Sequence, residues 1–350
     1  MTPNPRLVIG TRGSALAVWQ AEHVAGLLRQ ACPGTDFALE RIKTTGDKIQ
    51  DAPLAQVGGK ALFVKEIEEA LLAGRVHLAV HSMKDVPAEV PAGLALAAIL
   101  EREDPSDVLI SRSGRGLAAL PAGARIGTSS LRRRSQLLAH RPDLAVLPLR
   151  GNLDTRIRKL STEGLDAIVV ARAGVRRLGL EDRVAEVLPP EVMLPAAGQG
   201  ALGIEIRVPR AESREPGAEN RAESREPRAE TNESHARSAG AGVRGVSGAE
   251  VAELVRSLDH RATHLAVRAE RAVLARLGGS CQVPIAAHAA IEGETLKLRA
   301  LVAGVEGEGL VRAGAAGPAG DPEGLGQSLA EELLRRGAEE ILRRIAGAGR

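Results

Sequence analysis

The stretch Arg125-Ile-Gly-Thr-Ser-Ser-Leu-Arg-Arg-Arg134 decides the fold class of this 350-residue chain. A short apolar strand ends in a glycine, three hydroxyl residues follow, and a helical pattern runs from Ser130 to His140. Backbone N–H groups and hydroxyls at such a helix start converge on one point, which the helix dipole makes positive. The stretch therefore predicts a strand–loop–helix unit that binds an anion beside Arg132 and Arg133. An ordinary helix cap with surface arginines is the alternative.

The same order of strand, loop and helix occurs twice more. Gly10-Thr-Arg-Gly-Ser14 follows an apolar run, and Arg150-Gly-Asn-Leu-Asp-Thr-Arg156 follows a strand pattern, with Asn152 as the expected helix cap. Ligands of α/β folds lie at the carboxyl ends of strands and at helix N-termini. Three such units predict one cleft, between two α/β domains, that binds several carboxylates or phosphates.

Arginine dominates the basic residues. The chain has 47 Lys+Arg against 44 Asp+Glu, and only seven of the 47 are lysine. From Arg125 to Arg177 there are twelve basic and four acidic residues. Because the guanidinium group binds carboxylate and phosphate through two hydrogen bonds, this excess favours an anionic ligand or a nucleic acid.

Composition excludes several classes of protein. A hydrophobic share of 44% excludes global disorder, and an aromatic share of 1% disfavours stacking of nucleic-acid bases. No apolar run reaches the ~18 residues of a membrane span, and the N-terminus lacks a secretory signal pattern. Two cysteines cannot form a disulfide framework, and the histidine spacing predicts no metal site. We therefore expect a cytoplasmic protein without a metal.

Two residues are candidates for chemistry. Asp85, in His81-Ser-Met-Lys-Asp85, is expected in a loop after a strand over residues 76–80, where Lys84 would influence its pKa. It is either a general acid/base or an ordinary turn residue before Val-Pro. Cys281 lies in a glycine-rich loop, where a thiolate can hold a covalent group, although isolated loop cysteines are usually inert.

Residues 209–248 interrupt the apolar pattern. The sequence AESREP occurs twice there, and large apolar residues are nearly absent, which predicts a disordered or marginally helical insertion, with an interaction arm as the alternative. Around it we expect an α/β domain 1 formed by residues 1–100 with 200–256, and an α/β domain 2 formed by residues 101–199. A C-terminal α+β domain is expected over residues 257–350, with one helix over residues 329–345.

Eight segments, in this order along the chain, resemble the hydroxymethylbilane synthase (porphobilinogen deaminase) family of tetrapyrrole biosynthesis. They are Ile9-Gly-Thr-Arg12, Pro53-Leu-Ala-Gln-Val-Gly-Gly-Lys-Ala-Leu-Phe-Val-Lys-Glu66, Val80-His-Ser-Met-Lys-Asp-Val-Pro87, Glu101-Arg-Glu-Asp104, Gly127-Thr-Ser-Ser-Leu-Arg-Arg133, Leu149-Arg-Gly-Asn152, Pro195-Ala-Ala-Gly-Gln-Gly200 and Gly278-Gly-Ser-Cys-Gln-Val-Pro284. The resemblance spans the chain except for the insertion.

The resemblance implies two periplasmic-binding-protein-like α/β lobes plus a small C-terminal α+β domain. It implies a cytoplasmic, monomeric transferase of porphyrin and haem biosynthesis, with no nucleic-acid or membrane partner. Such an enzyme condenses four porphobilinogen molecules head to tail on a covalent dipyrromethane cofactor. It releases ammonia at each step, and then releases hydroxymethylbilane by hydrolysis.

The resemblance also assigns residues. Asp85 would be the catalytic acid/base, and Cys281 would hold the dipyrromethane through a thioether. The other cofactor contacts would be Asp47, Ser82, Lys84, Thr128, Ser129, Ser130, Arg132, Arg133 and Arg150. The substrate contacts would be Arg12, Ser14, Lys60, Phe63, Arg150, Arg156, Arg177 and Gln199.

Two positions depart from the family pattern, and two other functions stay open. Gln56 stands where many members have lysine, and Ser280 stands where glycine is usual before the cysteine.

A non-catalytic, two-lobed anion-binding protein would need neither Asp85 nor Cys281. An arginine-rich nucleic-acid binder is disfavoured by the lack of aromatic residues.

Overall fold

The chain first builds most of one α/β lobe. The computed structural model describes residues 6–48, 62–208, 248–279 and 283–348. In chain order the first elements are β1 (Arg6–Arg12), α1 (Ala15–Ala31), β2 (Asp36–Ile42), α2 (Thr45–Lys48), α3 (Lys65–Leu72), β3 (Leu78–Ser82) and β4 (Leu94–Ile99). Helix α1 begins where Ser14 Oγ accepts the N–H of Ala17 at 3.3 Å.

The second lobe follows without interruption. Its elements are β5 (Asp107–Ser111), β6 (Arg125–Gly127), α4 (Leu131–His140), β7 (Ala145–Leu147), α5 (Leu153–Thr162), β8 (Ala167–Ala171), α6 (Arg172–Arg177) and β9 (Glu186–Leu188). Ser130 caps α4, since its Oγ accepts the N–H of Arg133 at 3.4 Å. Asn152 stands at the N-cap position of α5, but its exposed side chain makes no capping hydrogen bond. The predicted position of the cap is therefore confirmed, but its side chain does not satisfy an N–H group of the helix.

One returning strand gives the two lobes equivalent sheets. Strand β10 (Leu202–Arg207) re-enters the first lobe, where the strand order is β2-β1-β3-β10-β4; the second sheet has the order β7-β6-β8-β5-β9. In each sheet the first three strands are parallel, and the fourth is antiparallel to both of its neighbours. The carboxyl ends of the parallel strands therefore lie at one edge of each sheet, where α/β folds place their ligands.

The rest of the described chain adds one helix, α7 (Gly248–Arg256), to the first lobe and then forms a small α+β unit. The elements of this unit are α8 (Arg261–Arg276), β11 (Ile285–Glu292), β12 (Thr295–Val302), β13 (Val311–Pro318), α9 (Pro322–Leu333) and α10 (Glu339–Ala348). Helices α8 and α9 pack on the antiparallel sheet β11-β12-β13, whereas α7 packs into the core of the first lobe. The single helix expected over residues 329–345 is wrong. Gly337 has a φ of +107°, a left-handed conformation that separates α9 from α10.

A buried carboxylate joins this unit to the segments that connect the lobes. Glu270, on α8, accepts hydrogen bonds from Arg102 Nη1 at 2.6 Å and Nη2 at 3.1 Å. It also accepts the backbone N–H of Gly198 at 2.6 Å and that of Ala289 at 2.7 Å. Because every one of these groups is buried or half-buried, the contact fixes the position of α8 against the lobes.

The predicted fold class, two α/β lobes with a small C-terminal α+β domain, is confirmed. The domain boundaries given above stay predictions. Of the expected insertion, residues 209–247 lie outside the described residues, and Gly248 begins α7. None of the described helices has the length and apolar character needed to cross a membrane.

Candidate active site

A cavity of about 1330 Å³ lies between the two lobes and reaches the C-terminal unit. Its wall contains strand ends and the residues that precede helices α1, α4 and α5, as the repeated strand–loop–helix units predict. Nine basic and four acidic side chains line the described part of this wall. The volume exceeds the ~300–1,000 Å³ usual for small-molecule pockets, so the cavity suits a large polyanion.

All but three of the residues predicted from the sequence line this cavity. They are Arg12, Ser14, Asp47, Phe63, Ser82, Lys84, Asp85, Ser129, Ser130, Arg132, Arg133, Arg150, Arg156, Arg177 and Gln199. Thr128 is buried instead, where its Oγ1 accepts the N–H of Ser130 at 3.2 Å. Lys60 and Cys281, like Gln56 and Ser280, lie outside the described residues.

Asp85 ends a single 3-10 turn, Met83–Asp85, directly after β3. The expected loop begins at His81, but His81 and Ser82 both belong to β3 because β10 pairs with this strand as far as Ser82. The expected loop is therefore shorter. Asp85 therefore leaves the sheet on a tight turn.

The turn is packed closely against the second segment that connects the lobes. Gly198 has a φ of +70°, and a Cβ there would lie 2.7 Å from the Met83 Cβ and 3.0 Å from the Lys84 N. Any side chain at this position would displace the turn. Asp85 is half-buried, and its charge acts on both Lys84 and Arg156 across the cavity wall.

Asp107, at the start of β5, organises two of the predicted arginines and was not found from the sequence. Its carboxylate accepts hydrogen bonds from Arg133 Nε at 3.0 Å, Arg133 Nη2 at 2.7 Å and Gln199 Nε2 at 3.1 Å. Its second oxygen lies 2.7 Å from Arg132 Nη1. Burial opposes ionisation, but the charges of the two arginines outweigh it and lower the pKa of Asp107 to about 2. Asp107 is therefore ionised and holds both guanidinium groups.

Three cations of the wall lack such a compensating carboxylate at hydrogen-bonding distance among the described residues. Burial, together with the charge of Arg133, lowers the pKa of Lys84 to about 8. Burial and the charges of Arg133 and Arg150 lower the pKa of Arg156 to about 10. Burial also lowers the pKa of Arg177 to about 10. All three are cationic at neutral pH, and Lys84 and Arg156 are also repelled by Arg133, so anionic groups in the cavity would relieve an electrostatic penalty.

Arg12 is held between a carboxylate and an aromatic ring. Its Nη2 lies 2.5 Å from Asp47 Oδ1, and its guanidinium carbon lies 4.3 Å from the centre of the Phe63 ring. Burial would raise the pKa of Asp47, but hydrogen bonds from Arg12 and Thr44 outweigh it and lower that pKa. Asp47 therefore orients Arg12, and its expected contact with the cofactor stays a prediction.

Arg177 connects the two lobes. Its Nη2 donates to the Gly200 carbonyl at 2.6 Å, and its guanidinium carbon lies 6.0 Å from the centre of the Trp19 ring on α1. Trp19 in turn stacks on His23 with ring centres 5.0 Å apart. A second contact not found from the sequence is on the same helix, where Gln20 Nε2 donates to Ser82 Oγ at 3.0 Å.

Comparison with known proteins identifies the family. The family model "Porphobilinogen deaminase, dipyromethane cofactor binding domain" matches residues 7–215, and "Porphobilinogen deaminase, C-terminal domain" matches residues 264–335. The chain belongs to the porphobilinogen deaminase family. The porphobilinogen deaminase of Geotalea uraniireducens (strain Rf4) is 50% identical over 339 residues, which cover 97% of this chain and 94% of that protein. That of Pelobacter propionicus is 49% identical over 343 residues, which cover 98% of each.

Solved structures with lower similarity include periplasmic binding proteins. The alkanesulfonate-binding protein SsuA from Xanthomonas axonopodis pv. citri is 18% identical, with a TM-score of 0.33 over 59% of this chain and 67% of that chain. The periplasmic VFT2 domain of BvgS from Bordetella pertussis is 14% identical, with a TM-score of 0.36 over 58% of this chain and 81% of that chain.

The described residues fit the dipyrromethane cofactor of porphobilinogen deaminases. This cofactor carries four carboxylates and two pyrrole N–H groups, so its site needs several cations and at least one acceptor. Lys84, one of the expected cofactor contacts, supplies a positive charge that no carboxylate of the described chain holds at hydrogen-bonding distance. Gln199 Oε1, on the cavity wall, is a buried acceptor without a hydrogen-bond partner in the same part of the chain. The cationic donors suit the carboxylates of the dipyrromethane, and the Gln199 acceptor suits its pyrrole N–H groups.

One buried acid of the wall lies away from these cations. Glu68, on α3, is 5% exposed and faces Glu205, whose Oε2 lies 3.1 Å from His81 Nε2. Burial, followed by the negative charge of Glu205, raises the pKa of Glu68 to about 7. The folded chain therefore binds a proton on Glu68 that the unfolded chain releases near pH 4.5.

We expect Glu68→Gln to change how stability depends on pH. In the unsubstituted chain, the folded state holds more protons than the unfolded state between about pH 4.5 and 7, so stability falls as pH rises through this window. The glutamine variant cannot show that loss, which amounts to up to about 3 kcal/mol. The Tm of the variant minus the Tm of the parent should therefore increase from pH 5 to pH 8. A constant difference in Tm would contradict the burial of an ionisable Glu68.

Proposed function

We propose that this chain acts as a hydroxymethylbilane synthase whose reaction takes place at Asp85. The enzyme is a transferase of porphyrin and haem biosynthesis that condenses four porphobilinogen molecules and releases ammonia each time. The observation that carries the proposal is the cavity itself, which brings Asp85 together with nine basic side chains between two lobes.

The cations account for substrate binding. Each porphobilinogen carries an acetate and a propionate, so the cofactor and four substrates together present about a dozen carboxylates, each suited to an arginine fork or an ammonium group. We infer that Lys84, Arg132 and Arg133 bind the cofactor carboxylates, with the nearby hydroxyls of Ser129 and Ser130. We infer that Arg12, Arg150, Arg156 and Arg177 bind those of the substrate.

Asp85 performs the proton transfers. The bound dipyrromethane supplies the free pyrrole α-carbon to which substrate is joined. The substrate amino group departs from its ammonium form: the electron pair of the C–N bond goes to nitrogen, ammonia leaves, and the Asp85 carboxylate stabilises the positive charge left on the substrate methylene-pyrrole. Asp85 Oδ would then accept the proton released when substrate is joined to the free pyrrole α-carbon, and this proton would pass to the ammonia to give ammonium. The positive charges of Lys84 and Arg156 lie on the same cavity wall and interact with the charge of Asp85.

The covalent cofactor is tested by the intact mass of the purified chain. We expect a mass excess equal to two linked pyrrole units, since a cysteine thiolate can form the thioether, and Cys281→Ala should lack that excess. Cys32→Ala is the matched control, because Cys32 lies half-buried at the end of α1 and should keep the added mass. An excess that survives Cys281→Ala would contradict attachment there.

An unmodified parent chain would call for incubation with porphobilinogen. Gain of the same mass would indicate an apo-protein, whereas no gain and no product would contradict the synthase. A non-catalytic anion-binding protein would bind substrate without either change, but close relatives over almost the whole length are porphobilinogen deaminases. We further infer a cytoplasmic monomer without a nucleic-acid partner, to be tested by its size in solution and by electrophoresis with DNA.

A further inference from the structure

Arg271 links the C-terminal unit to the segment that follows Asp85. It lies on α8, where its Nη1 donates to the Val86 carbonyl at 3.2 Å and its Nη2 donates to the Ala88 carbonyl at 2.8 Å. These two carbonyls flank Pro87, so one half-buried guanidinium holds both sides of the turn that leaves the catalytic residue. A planar fork with two parallel donors is suited to such a pair of acceptors.

The same helix packs against the catalytic turn from behind. Val267, one turn before Arg271, belongs to a buried apolar cluster that includes Met83 and Val86, the residues on either side of Lys84 and Asp85. Val86 also donates its N–H to the Met83 carbonyl at 3.2 Å. The position of the turn therefore depends on α8 through both packing and hydrogen bonds.

Helix α8 also leads directly to the proposed cofactor loop. Leu274, Ala275, Gly278 and Gly279 line the cavity, and Cys281 follows two residues later. Arg271 therefore belongs to the helix that both contacts the Asp85 turn and leads, in the sequence, to Cys281.

We propose that Arg271 is a positioning residue that sets the place of Asp85 relative to helix α8, the helix that precedes the proposed cofactor loop in the sequence. This inference rests on the proposed function, since it assumes that Asp85 is the acid/base and that Cys281 carries the cofactor. Arg271 lines no part of the described cavity wall, so it acts through the backbone of the Asp85 turn. Displacement of a reacting group by about 1 Å can lower a rate by about 10²-fold.

Arg271→Met tests the proposal, with Arg268→Met as the matched control. Arg268 is on the same helix, but it is exposed and pairs with Glu323 inside the C-terminal unit. We expect Arg271→Met to lower kcat about ten- to a hundredfold, with KM within about twofold of the parent and the pyrrole mass retained. Hydrogen exchange at the Val86 amide should become faster. Arg268→Met should change none of these quantities.

Arg271→Lys gives a second test that keeps the charge with a different donor geometry. We expect its kcat and its Val86 exchange to lie between those of the parent and the methionine variant, and it serves alone if that variant does not fold. The proposal is overturned if kcat stays at the parental value, or if it falls only together with the pyrrole mass. A parent chain without pyrrole mass and turnover would instead contradict the proposed function, and the exchange rates would still decide whether Arg271 holds the turn.

Discussion

Asp85→Asn is expected to lower kcat by about 10²- to 10⁴-fold, the usual contribution of a general acid/base. The amide can neither accept the α-carbon proton nor offset the cation that forms when ammonia leaves. Because the asparagine side chain keeps the shape of the carboxylate, the fold and the binding of substrate carboxylates should persist. The measurement is steady-state release of hydroxymethylbilane from loaded protein.

Asp36→Asn provides the matched control for that experiment. Asp36 is an exposed residue at the start of β2, where it pairs with Arg6 at 3.5 Å, and it is not among the residues that line the cavity. The kcat of this variant should equal that of the parent. Parental turnover by the Asp85→Asn variant, with its pyrrole mass verified, would disprove the acid/base assignment.

Asp107→Ala is expected to destabilise the chain by about 3–5 kcal/mol, because it leaves the buried guanidinium groups of Arg132 and Arg133 without their shared carboxylate. Urea denaturation measures this loss, and the variant should also retain little pyrrole mass because both arginines lose their orientation. Asp143→Ala is the matched control, since Asp143 forms a similar two-point pair with Arg141 on the surface of the same lobe. It should change stability little.

Because Asp107 is ionised in the folded chain, its contribution to folding stability decreases as the pH falls. Its pKa is lowered from 3.8 to about 2 in the folded chain, so its contribution is fully present above about pH 4 and is lost as pH falls through 2. The difference in stability between the parent and Asp107→Ala should therefore shrink in acid. A difference of the same size at pH 3 and pH 7, or full stability of the variant, would contradict the role given to Asp107.

The local parts of the site were predictable from sequence, and the long-range parts were not. Ser14 and Ser130 cap their helices because a hydroxyl reaches an N–H three residues ahead, a contact set by neighbouring residues alone. The Asp107 contacts join residues 26 and 92 positions apart, and no spacing in the sequence indicates them. The prediction of one continuous helix through Gly337 was wrong for a related reason. The apolar period continues through it, so only the backbone conformation shows the end of α9.

Trp19 is an intrinsic fluorescence probe of the contact between the two lobes. It is the single tryptophan of a chain without tyrosine, and it lies on the first lobe with the Arg177 guanidinium of the second lobe above its ring. Indole emission responds to nearby charge, so rotation of one lobe against the other alters the fluorescence of a single, unlabelled reporter. Relative movement of the two lobes after substrate is added would thus be visible as a change in Trp19 emission.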